Sequence, residues 1–381
     1  MERSIAATTE GPRFVLGTMT GTSIDGDLDA ALVEIHGRGI GMRARYIAGL
    51  SHPLGDLAND LRRIAQQEPF TAGEFARVAR AFGEAHADAL EALRSSSGVR
   101  PDLAVLHGQT VFHAPPLTWQ LLDPWPVATR LGCRVRYDLR GANVASGGQG
   151  APITPLADSI LFGSDDGLIV MNLGGFINAT FVPGRGGDVG AIRGFDACAC
   201  NHLLDLVART RLGTAFDADG SAALHGVAET TIARQISLAM APPQRIVGTR
   251  RSLGTGDEAA RLVELTSRLD ARDACRTIVE AIADAAARVI AAERPSDGTN
   301  GASLILVAGG SARNRALCDA LARASGCVVR STADSHGVPV HMREAAEIAI
   351  LGALAEDGVR YALPQVTGVS SGAIDSALIE V

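Results

Sequence analysis

Hydrophobic and polar positions along this chain follow two periods, one typical of strands and one typical of helices. Residues 13–35 contain two apolar runs separated by a turn rich in Gly and Thr, which predicts two strands with a tight connection. Residues 43–54 predict a third strand. Residues 55–66 and 72–95 carry apolar residues every three or four positions, which predicts two helices. The apolar face of the second helix consists of Phe75, Val78, Ala79, Phe82, Ala85, Ala89, Leu90 and Leu93.

The same order of elements starts again in the second half of the chain. Residues 167–182 predict a strand, a Gly-Gly turn and a second strand, and a third strand leads into a helix at Asn201. A long helix is predicted around 271–293, and a last helix ends where Gly358 can stop it. Strands interleaved with helices predict an α/β protein. Two similar halves favour a ligand cleft between them.

Composition narrows the possible functions. The chain has 381 residues, of which 46% are hydrophobic and 20% charged, and its net charge is −7, as expected for a soluble globular protein of two domains. No Lys/Arg run predicts nucleic-acid binding, and no apolar segment is long enough to span a membrane. The N-terminus lacks the apolar core of a signal peptide. Six irregularly spaced cysteines suggest reduced thiols in the cytoplasm.

Three turns that follow apolar strands share one chemistry. They cover residues 21–29, 172–180 and 308–314, and each combines glycines with hydroxyl, amide or carboxylate side chains. Glycine lets the backbone approach a ligand closely, and successive N–H groups form a nest for phosphate oxygens. Ordinary turn formation explains any one of these segments equally well. Their recurrence in matched halves favours phosphate binding without a P-loop motif.

Several segments in sequence order carry a resemblance to a known family. They read GTMTGTSIDG, LHGQTVFH, ASGGQGAPITP, NLGGFINAT, GFD followed by NHLLD, DADG, AGGSARNRAL and EAAEIAILGALA. In this order they resemble the anhydro-N-acetylmuramic acid kinase family, to which levoglucosan kinase is related. The resemblance extends from about residue 14 to PQVTG near the C-terminus.

The resemblance implies an actin-like, ribonuclease H-like ATPase fold with a nucleotide and substrate cleft between two domains. Residues 1–165 would carry the first phosphate loop and much of the sugar site. Residues 166–381 would carry the second phosphate loop, the catalytic Asp and the nucleotide-side loop, with a C-terminal segment able to pack back on the first domain. Such an enzyme uses ATP and Mg²⁺ to open a 1,6-anhydro ring with water and to phosphorylate O6. A homodimer is also implied.

The family's functional residues map onto named positions. Asp196 matches the base that activates water, although its place before a helix is also that of a helix cap. Asp25 and Glu344 match the residues that hold Mg²⁺. The sugar site maps to Gln109, Thr110, Asp138, Arg140, Gln149 and Gly150. The nucleotide site maps to Gly21, Thr22, Ser23, Asp25, Gly26, Asn172, Gly174, Gly175, Asn178, Gly309, Gly310 and Asn314.

Two segments depart from the family pattern. The first turn holds one extra residue, so that Asp27 and Asp29 compete for one family position. The segment 197–200 reads Ala-Cys-Ala-Cys in place of Thr-Gly-Pro-Gly, which predicts a bulkier and less polar wall beside Asp196. Such a wall would favour a different 1,6-anhydro sugar, and loss of phosphotransfer in a nucleotide-binding homologue is a further alternative. The Cys-x-Cys pair is more commonly explained by small buried cysteines than by a metal or redox site.

Overall fold

The computed structural model describes residues 11–21, 24, 26–240, 257–294, 302–369 and 376–381. Within them the strands are β1 (Arg13–Met19), β2 (Asp27–His36), β3 (Arg43–Pro53), β4 (Leu103–Leu106), β5 (Gln109–Ala114), β6 (Leu117–Leu121), β7 (Arg134–Tyr137), β8 (Leu168–Leu173), β9 (Phe176–Val182), β10 (Arg193–Ala199), β11 (Leu304–Ala308), β12 (Val328–Ser331) and β13 (Ala377–Ile379).

The helices of the same residues are α1 (Leu57–Ala65), α2 (Ala72–Ser97), α3 (Trp125–Leu131), α4 (Gly141–Ala145), α5 (Pro155–Phe162), α6 (Asn201–Val207), α7 (Ser221–Leu224), α8 (Thr230–Met240), α9 (Asp257–Glu264), α10 (Ala271–Glu293), α11 (Arg315–Ser325), α12 (Thr332–His336), α13 (Arg343–Glu356) and α14 (Pro364–Thr367). Short 3₁₀ turns cover Gly39–Gly41, Val189–Ala191, Ala218–Gly220 and Gly310–Arg313, and a π-helical turn covers Ala208–Leu212.

Two sheets repeat one strand order. The first sheet has the order β3-β2-β1-β4-β7-β13, and the second has the order β10-β9-β8-β11-β12. In each, three antiparallel strands are followed by two parallel ones, since β1 pairs in parallel with β4 and β8 pairs in parallel with β11. This is the order of a ribonuclease H-like domain, present twice. It confirms the predicted α/β class with two actin-like domains.

The chain divides into two compact units, Met1–Leu161 with Glu344–Val381 and Phe162–Arg343. The first sheet lies in the first unit, where β13 pairs antiparallel with β7 and completes one edge. The predicted domain limits, 1–165 and 166–381, differ from these units chiefly at this C-terminal segment. The limits themselves stay a prediction.

The core of the first unit forms on both faces of its sheet. On one face α2 buries Val78, Phe82 and Leu90, and its start is fixed by a capping box in which Thr71 and Glu74 exchange hydrogen bonds. On the other face α13 approaches β1 so closely that a Cβ on Gly17 would lie 2.1 Å from the carbonyl oxygen of Ala345. The sheet is therefore covered by a helix on each side, with the ends of its strands left for loops.

In the second unit α10 covers one face of the second sheet. Its buried face is rich in alanine, including Ala281 and Ala285, and packs in a cluster with Phe181 and Phe195 of the sheet. Small side chains let the helix lie close to the strands. Asp270 caps the helix by accepting hydrogen bonds from the amides of Arg272 and Asp273. The helix covers the range predicted from the sequence.

Candidate active site

The predicted second phosphate turn and nucleotide-side loop lie side by side in the second unit. Asn172 at the end of β8 pairs with Ala308 at the end of β11 in a parallel register. The carboxyl ends of parallel neighbours meet at one edge of a sheet. The turn at 173–176 and the loop at 309–314 therefore emerge together, although 133 residues and more separate them along the chain.

Gly309 permits the closest approach between these segments. Its φ is +86°, and a Cβ there would lie 2.5 Å from Asn172 Oδ1 and 2.9 Å from the carbonyl oxygen of Leu173. Only glycine adopts this φ without strain and also fits into the available space. Gly309 therefore lies directly against Asn172 and Leu173, which brings the nucleotide-side loop against the end of β8.

The Gly174-Gly175 turn is fixed from the β10–α6 junction. The amides of Cys200 and Asn201 donate to the carbonyl oxygens of Gly175 and Gly174 at 2.9 and 3.0 Å. Ser311 Oγ donates to Asn201 Oδ1 at 2.5 Å. One asparagine thus connects the turn, the helix start and the nucleotide-side loop.

Asp196 lies on β10, within the strand rather than at the helix cap position. Its carboxylate Oδ1 accepts a hydrogen bond from Asn178 Nδ2 on the paired strand β9. The side chain is half-buried and is not part of the apolar cluster, unlike its neighbours Phe195 and Ala197. Cys200, not Asp196, occupies the N-cap position of α6. The carboxylate is therefore not used to cap α6, and its role as a base stays a prediction.

A β-bulge places both thiols in the core. The register pairs Asp196 with Asn178 and Cys198 with Ile177, so that Ala197 is an extra residue and the faces exchange at this point. Cys198 and Cys200 are both fully buried in the apolar cluster. Both thiols therefore pack in the core of the second unit, and the expected effect of this segment on the wall beside Asp196 stays a prediction.

The structure gives no support for metal binding at Cys198 and Cys200. Burial raises the pKa of the Cys200 thiol well above its ordinary value, with Cys198, Asp205 and Cys318 acting in the same direction. Across the described part of the chain, no three His, Cys, Asp or Glu side chains form a cluster suited to a metal ion.

Asn314 has a structural task in the nucleotide-side loop. Its Oδ1 accepts from the amide of Leu317 at 3.0 Å and so caps α11. A Cβ on Gly220, in the DADG segment, would lie 2.1 Å from the same Oδ1. The side-chain carboxamide of Asn314 therefore lies against both the start of α11 and the DADG segment. Contact of Asn314 with a nucleotide stays a prediction.

A cavity of about 330 Å³ adjoins this loop in the second unit. Its wall combines apolar groups such as Pro339 and Val340 with polar groups such as Arg313 and His341. Ser331 and Asp334, also in the wall, bond to one another across the start of α12. The nucleotide-side loop therefore borders a concave surface of the second unit.

The first phosphate turn is described in part. Gly21 accepts from the amide of Ile24 at 3.1 Å, and Gly26 accepts from Leu54 at 2.8 Å with φ at +114°. Thr22, Ser23 and Asp25 lie outside the described residues. The β1–β2 ladder runs without a shift from Met19–Asp29 to Arg13–Ile35, so the extra residue leaves this register intact. Asp27 and Asp29 remain alternatives for the family position.

Arg140 is the centre of the predicted sugar site in the first unit. Its Nε donates to His107 Nε2 at 2.8 Å, and its Nη1 donates to the carbonyl oxygen of Gly150 at 2.8 Å. Burial lowers the pKa of Arg140, and the carboxylate of Glu344 acts in the opposite direction. Burial and the charge of Arg140 hold the pKa of His107 well below its ordinary value. His107 is thus neutral, as an acceptor at Nε2 must be.

The other predicted sugar residues differ in their exposure and in their hydrogen-bond partners. Gln109 is fully buried on β5, and among the described residues its Oε1 has no hydrogen-bond partner. Thr110 accepts from Gln120 Nε2 at 3.4 Å. Asp138 has φ at +53° and binds the amide of Gly141 at 3.0 Å rather than Arg140. The amide of Gln149 donates to the carbonyl oxygen of Thr367 at 2.8 Å.

Sequence reasoning missed a second buried histidine beneath this site. His86 on α2 is fully buried and lies 2.9 Å from Thr18 Oγ1 through its Nδ1. Burial lowers the pKa of His86 to about 3, with His52 acting in the same direction. Its position on the apolar face of α2, where the pattern calls for a hydrophobic side chain, was the available signal.

Comparison with known proteins decides the family. The sequence model for anhydro-N-acetylmuramic acid kinase matches residues 13–379. The chain belongs to this family. Relatives named anhydro-N-acetylmuramic acid kinase include one from Synechococcus sp. (strain CC9605), 35% identical over 376 residues that cover 94% of this chain and 97% of the relative. Another, from Bordetella pertussis (strain Tohama I), is 34% identical over 400 residues covering 98% and 99%.

Solved structures offer weaker similarity. The activator of the 2-hydroxyisocaproyl-CoA dehydratase from Clostridium difficile with bound ADPNP aligns with a TM-score of 0.44 and 13% identity, covering 91% of this chain and 96% of that one. A ROK family glucokinase from Streptomyces griseus, in complex with glucose and AMPPNP, aligns with a TM-score of 0.39 and 15% identity, covering 90% and 99%. Similarity this low carries no functional argument.

Among the described residues, no helix has both the length and the apolar character that are needed to cross a bilayer.

The contact at Gly309 gives a testable prediction. Gly309→Ala adds a Cβ that clashes with Asn172 and Leu173, so we expect a loss of about 2 kcal/mol or more in unfolding free energy and weaker ATP binding. Gly326→Ala is the matched control, because Gly326 has a φ of +70° with no atom within 4 Å of the added Cβ. Denaturant unfolding and ATP titration measure both variants. Equal losses in the two would contradict the assigned contact.

The buried His86 predicts a pH dependence of stability. Its folded pKa lies below the ordinary 6.5, so the unfolded chain takes up a proton first and stability falls as the pH drops from about 6.5 towards 3. Between pH 7 and pH 5 the wild type should lose about 2 kcal/mol more than His86→Gln. Urea unfolding at both pH values measures the difference. His225→Gln, at an exposed position, should follow the wild type, and a wild type matching His86→Gln would refute the prediction.

Proposed function

We propose that the protein is an ATP-dependent kinase that opens the 1,6-anhydro ring of 1,6-anhydro-N-acetylmuramic acid and phosphorylates O6. The product is N-acetylmuramic acid 6-phosphate, and the reaction serves cell-wall recycling. The observation that carries the proposal is membership of the anhydro-N-acetylmuramic acid kinase family over residues 13–379. The half-buried Asp196 carboxylate beside the joined glycine turns supports it.

The proposed reaction begins with the transfer of a proton from water. Asp196 accepts a proton from water while the water oxygen bonds to C1 of the sugar and the C1–O6 bond breaks. The electron pair of that bond stays on O6, and O6 attacks the γ-phosphorus of ATP as ADP leaves. Asn178 holds the Asp196 side chain through its Nδ2 hydrogen bond. Phosphoryl transfer then depends mainly on positioning and on charge stabilisation.

The nucleotide is proposed to bind at the two glycine turns of the second unit and the turn at 21–26 of the first. Asn172, Gly174, Gly175, Asn178, Gly309 and Gly310 supply amides and backbone space in the second unit. Asn314 supports them as the cap of α11. The sugar is proposed to contact Arg140, Gln109, Thr110, Asp138, Gln149 and Gly150. These assignments rest on the resemblance of the sequence motifs to those of the family.

Mg²⁺ would be held by Asp25 and Glu344, and it would offset charge on the phosphate oxygens. Glu344 is half-buried in the first turn of α13, and its charge acts on Arg140 of the sugar site. Asp25 lies outside the described residues. We further propose a cytoplasmic location, since all six cysteines are free thiols. A homodimer stays a prediction.

A panel assay tests the substrate. The protein is incubated with ATP-Mg²⁺ and a set of 1,6-anhydro sugars, and mass spectrometry records products heavier by one water and one phosphoryl group. We expect 1,6-anhydro-N-acetylmuramic acid to be the best substrate, because the chain belongs to the anhydro-N-acetylmuramic acid kinase family and both Cys198 and Cys200 are buried in the core. A clear preference for another anhydro sugar would correct the substrate. ATP binding without any sugar product would instead indicate a nucleotide-binding homologue.

Asp196→Asn tests the base. The new side chain keeps an oxygen for the hydrogen bond from Asn178 but does not take a proton, so we expect turnover to fall by a factor of about 10²–10⁴ while ATP affinity stays close to wild type. Steady-state rates and nucleotide titration provide the measurements. Asp188→Asn is the matched control, because Asp188 caps a 3₁₀ turn just before the same strand. Near-normal turnover in Asp196→Asn would rule out the assignment.

A further inference from the structure

A continuous series of hydrogen bonds lies beneath the segment 147–152, which we name the substrate loop. Asn143 on α4 accepts from the amide of Gly150 at 2.7 Å through Oδ1 and donates to Thr367 Oγ1 at 3.1 Å through Nδ2. The amide of Gln149 donates to the carbonyl oxygen of Thr367 at 2.8 Å, and the amide of Gly148 donates to the carbonyl oxygen of Asn143 at 2.9 Å. Three successive loop amides are therefore bound by two residues outside the loop.

Both residues are enclosed by the structure. Asn143 is 1% exposed and Thr367 is fully buried. A Cβ on Gly148 would lie 2.3 Å from Asn143 Oδ1, so the loop backbone closes directly over the carboxamide. The hydroxyl of Thr367 also donates to the carbonyl oxygen of Leu363 at 3.2 Å, which fixes it on α14. Satisfied buried amides of this kind hold one loop conformation in preference to others.

The same series ends at the guanidinium of Arg140. The amide of Gly150 donates to Asn143 Oδ1, and its carbonyl oxygen accepts from Arg140 Nη1, so that one residue links Asn143 to Arg140. Neutral His107 accepts from Nε of Arg140 and fixes the opposite edge. The direction in which the remaining nitrogen, Nη2, points thus depends on where Gly150 is held. Displacing the loop would turn the guanidinium.

We propose that Asn143 and Thr367 are positioning residues that set the substrate loop and, through Gly150, the orientation of Arg140 towards the sugar. This role rests on the proposed function, which places the sugar at Arg140 and Gly150. It assigns to α14, in the C-terminal segment, a part in sugar recognition without direct contact.

Thr367→Val tests the proposal with minimal change in shape. It removes the hydroxyl and leaves Nδ2 of Asn143 without its partner. We expect the KM for the anhydro sugar to rise roughly tenfold while the KM for ATP changes less than about twofold, the scale of one lost hydrogen bond. Thr367→Ser keeps the hydroxyl and should restore the sugar KM to near the wild-type value.

Thr266→Val is the matched control. Thr266 is likewise fully buried and donates from its hydroxyl to a carbonyl three residues earlier, but it belongs to the second unit, whereas Asn143, Thr367 and Arg140 belong to the first. Its variant should lose stability without changing either KM. An unchanged sugar KM in Thr367→Val, or equal rises for sugar and ATP, would overturn the positioning role.

Amide hydrogen exchange separates this proposal from the proposed function. If the wild type turns over no anhydro sugar in the panel assay, the proposed function fails on that result alone. Exchange at Gln149 and Gly150 then decides whether the residues hold the loop. Faster exchange in Thr367→Val and Asn143→Ala, but not in Thr266→Val, supports the positioning role, and rates equal to the wild type in all three variants overturn it.

Discussion

Parallel pairing of two central strands is the constraint on which the rest of the candidate site depends. Because β8 and β11 run in the same direction with Asn172 opposite Ala308, segments distant along the chain leave the sheet at one edge. The absence of a side chain at Gly309 then lets the two segments touch. The first sheet repeats the arrangement with β1 beside β4, which carries the turn at 21–26 and His107 to one edge. A single strand order, used twice, thereby supplies the surfaces on which the family chemistry is proposed.

The polar interior of the first unit follows a different physical rule. His107 is buried and Arg140 is half-buried, yet only the arginine carries a charge, because burial favours the neutral imidazole while the guanidinium keeps its proton. His107 fixes the arginine as a neutral acceptor, while the carboxylate of Glu344 interacts with its charge. Asp138, two residues earlier, instead binds a backbone amide and stabilises the turn into α4. The arginine therefore remains a cation suited to an anionic or hydroxyl-rich ligand.

Sequence patterns predicted the larger elements well and the short ones poorly. Helices expected at 55–66, 72–95 and 271–293 occur at 57–65, 72–97 and 271–293, because long amphipathic periods bury one face whatever surrounds them. The segment LHGQTVFH divides between Leu106 and Gln109 into β4 and β5 of separate sheets, a division that no apolar period in the sequence marks. The partners of Arg140 also escaped prediction, since they come together only through tertiary contacts. The bulge at Ala197 was not predicted either, because a one-residue insertion in a strand ladder leaves no mark on composition.

That bulge has a consequence for how the segment 197–200 responds to its surroundings. Three of its side chains, those of Ala197, Cys198 and Cys200, belong to the protein interior, so packing volume rather than reaction chemistry governs which residues are acceptable there. Cysteine is a small apolar residue in such a setting. With the Cys200 thiol held protonated by burial, it presents no thiolate to an oxidant or an alkylating reagent. The enzyme should thus remain insensitive at this position to redox conditions that inactivate proteins with an exposed cysteine next to a catalytic carboxylate.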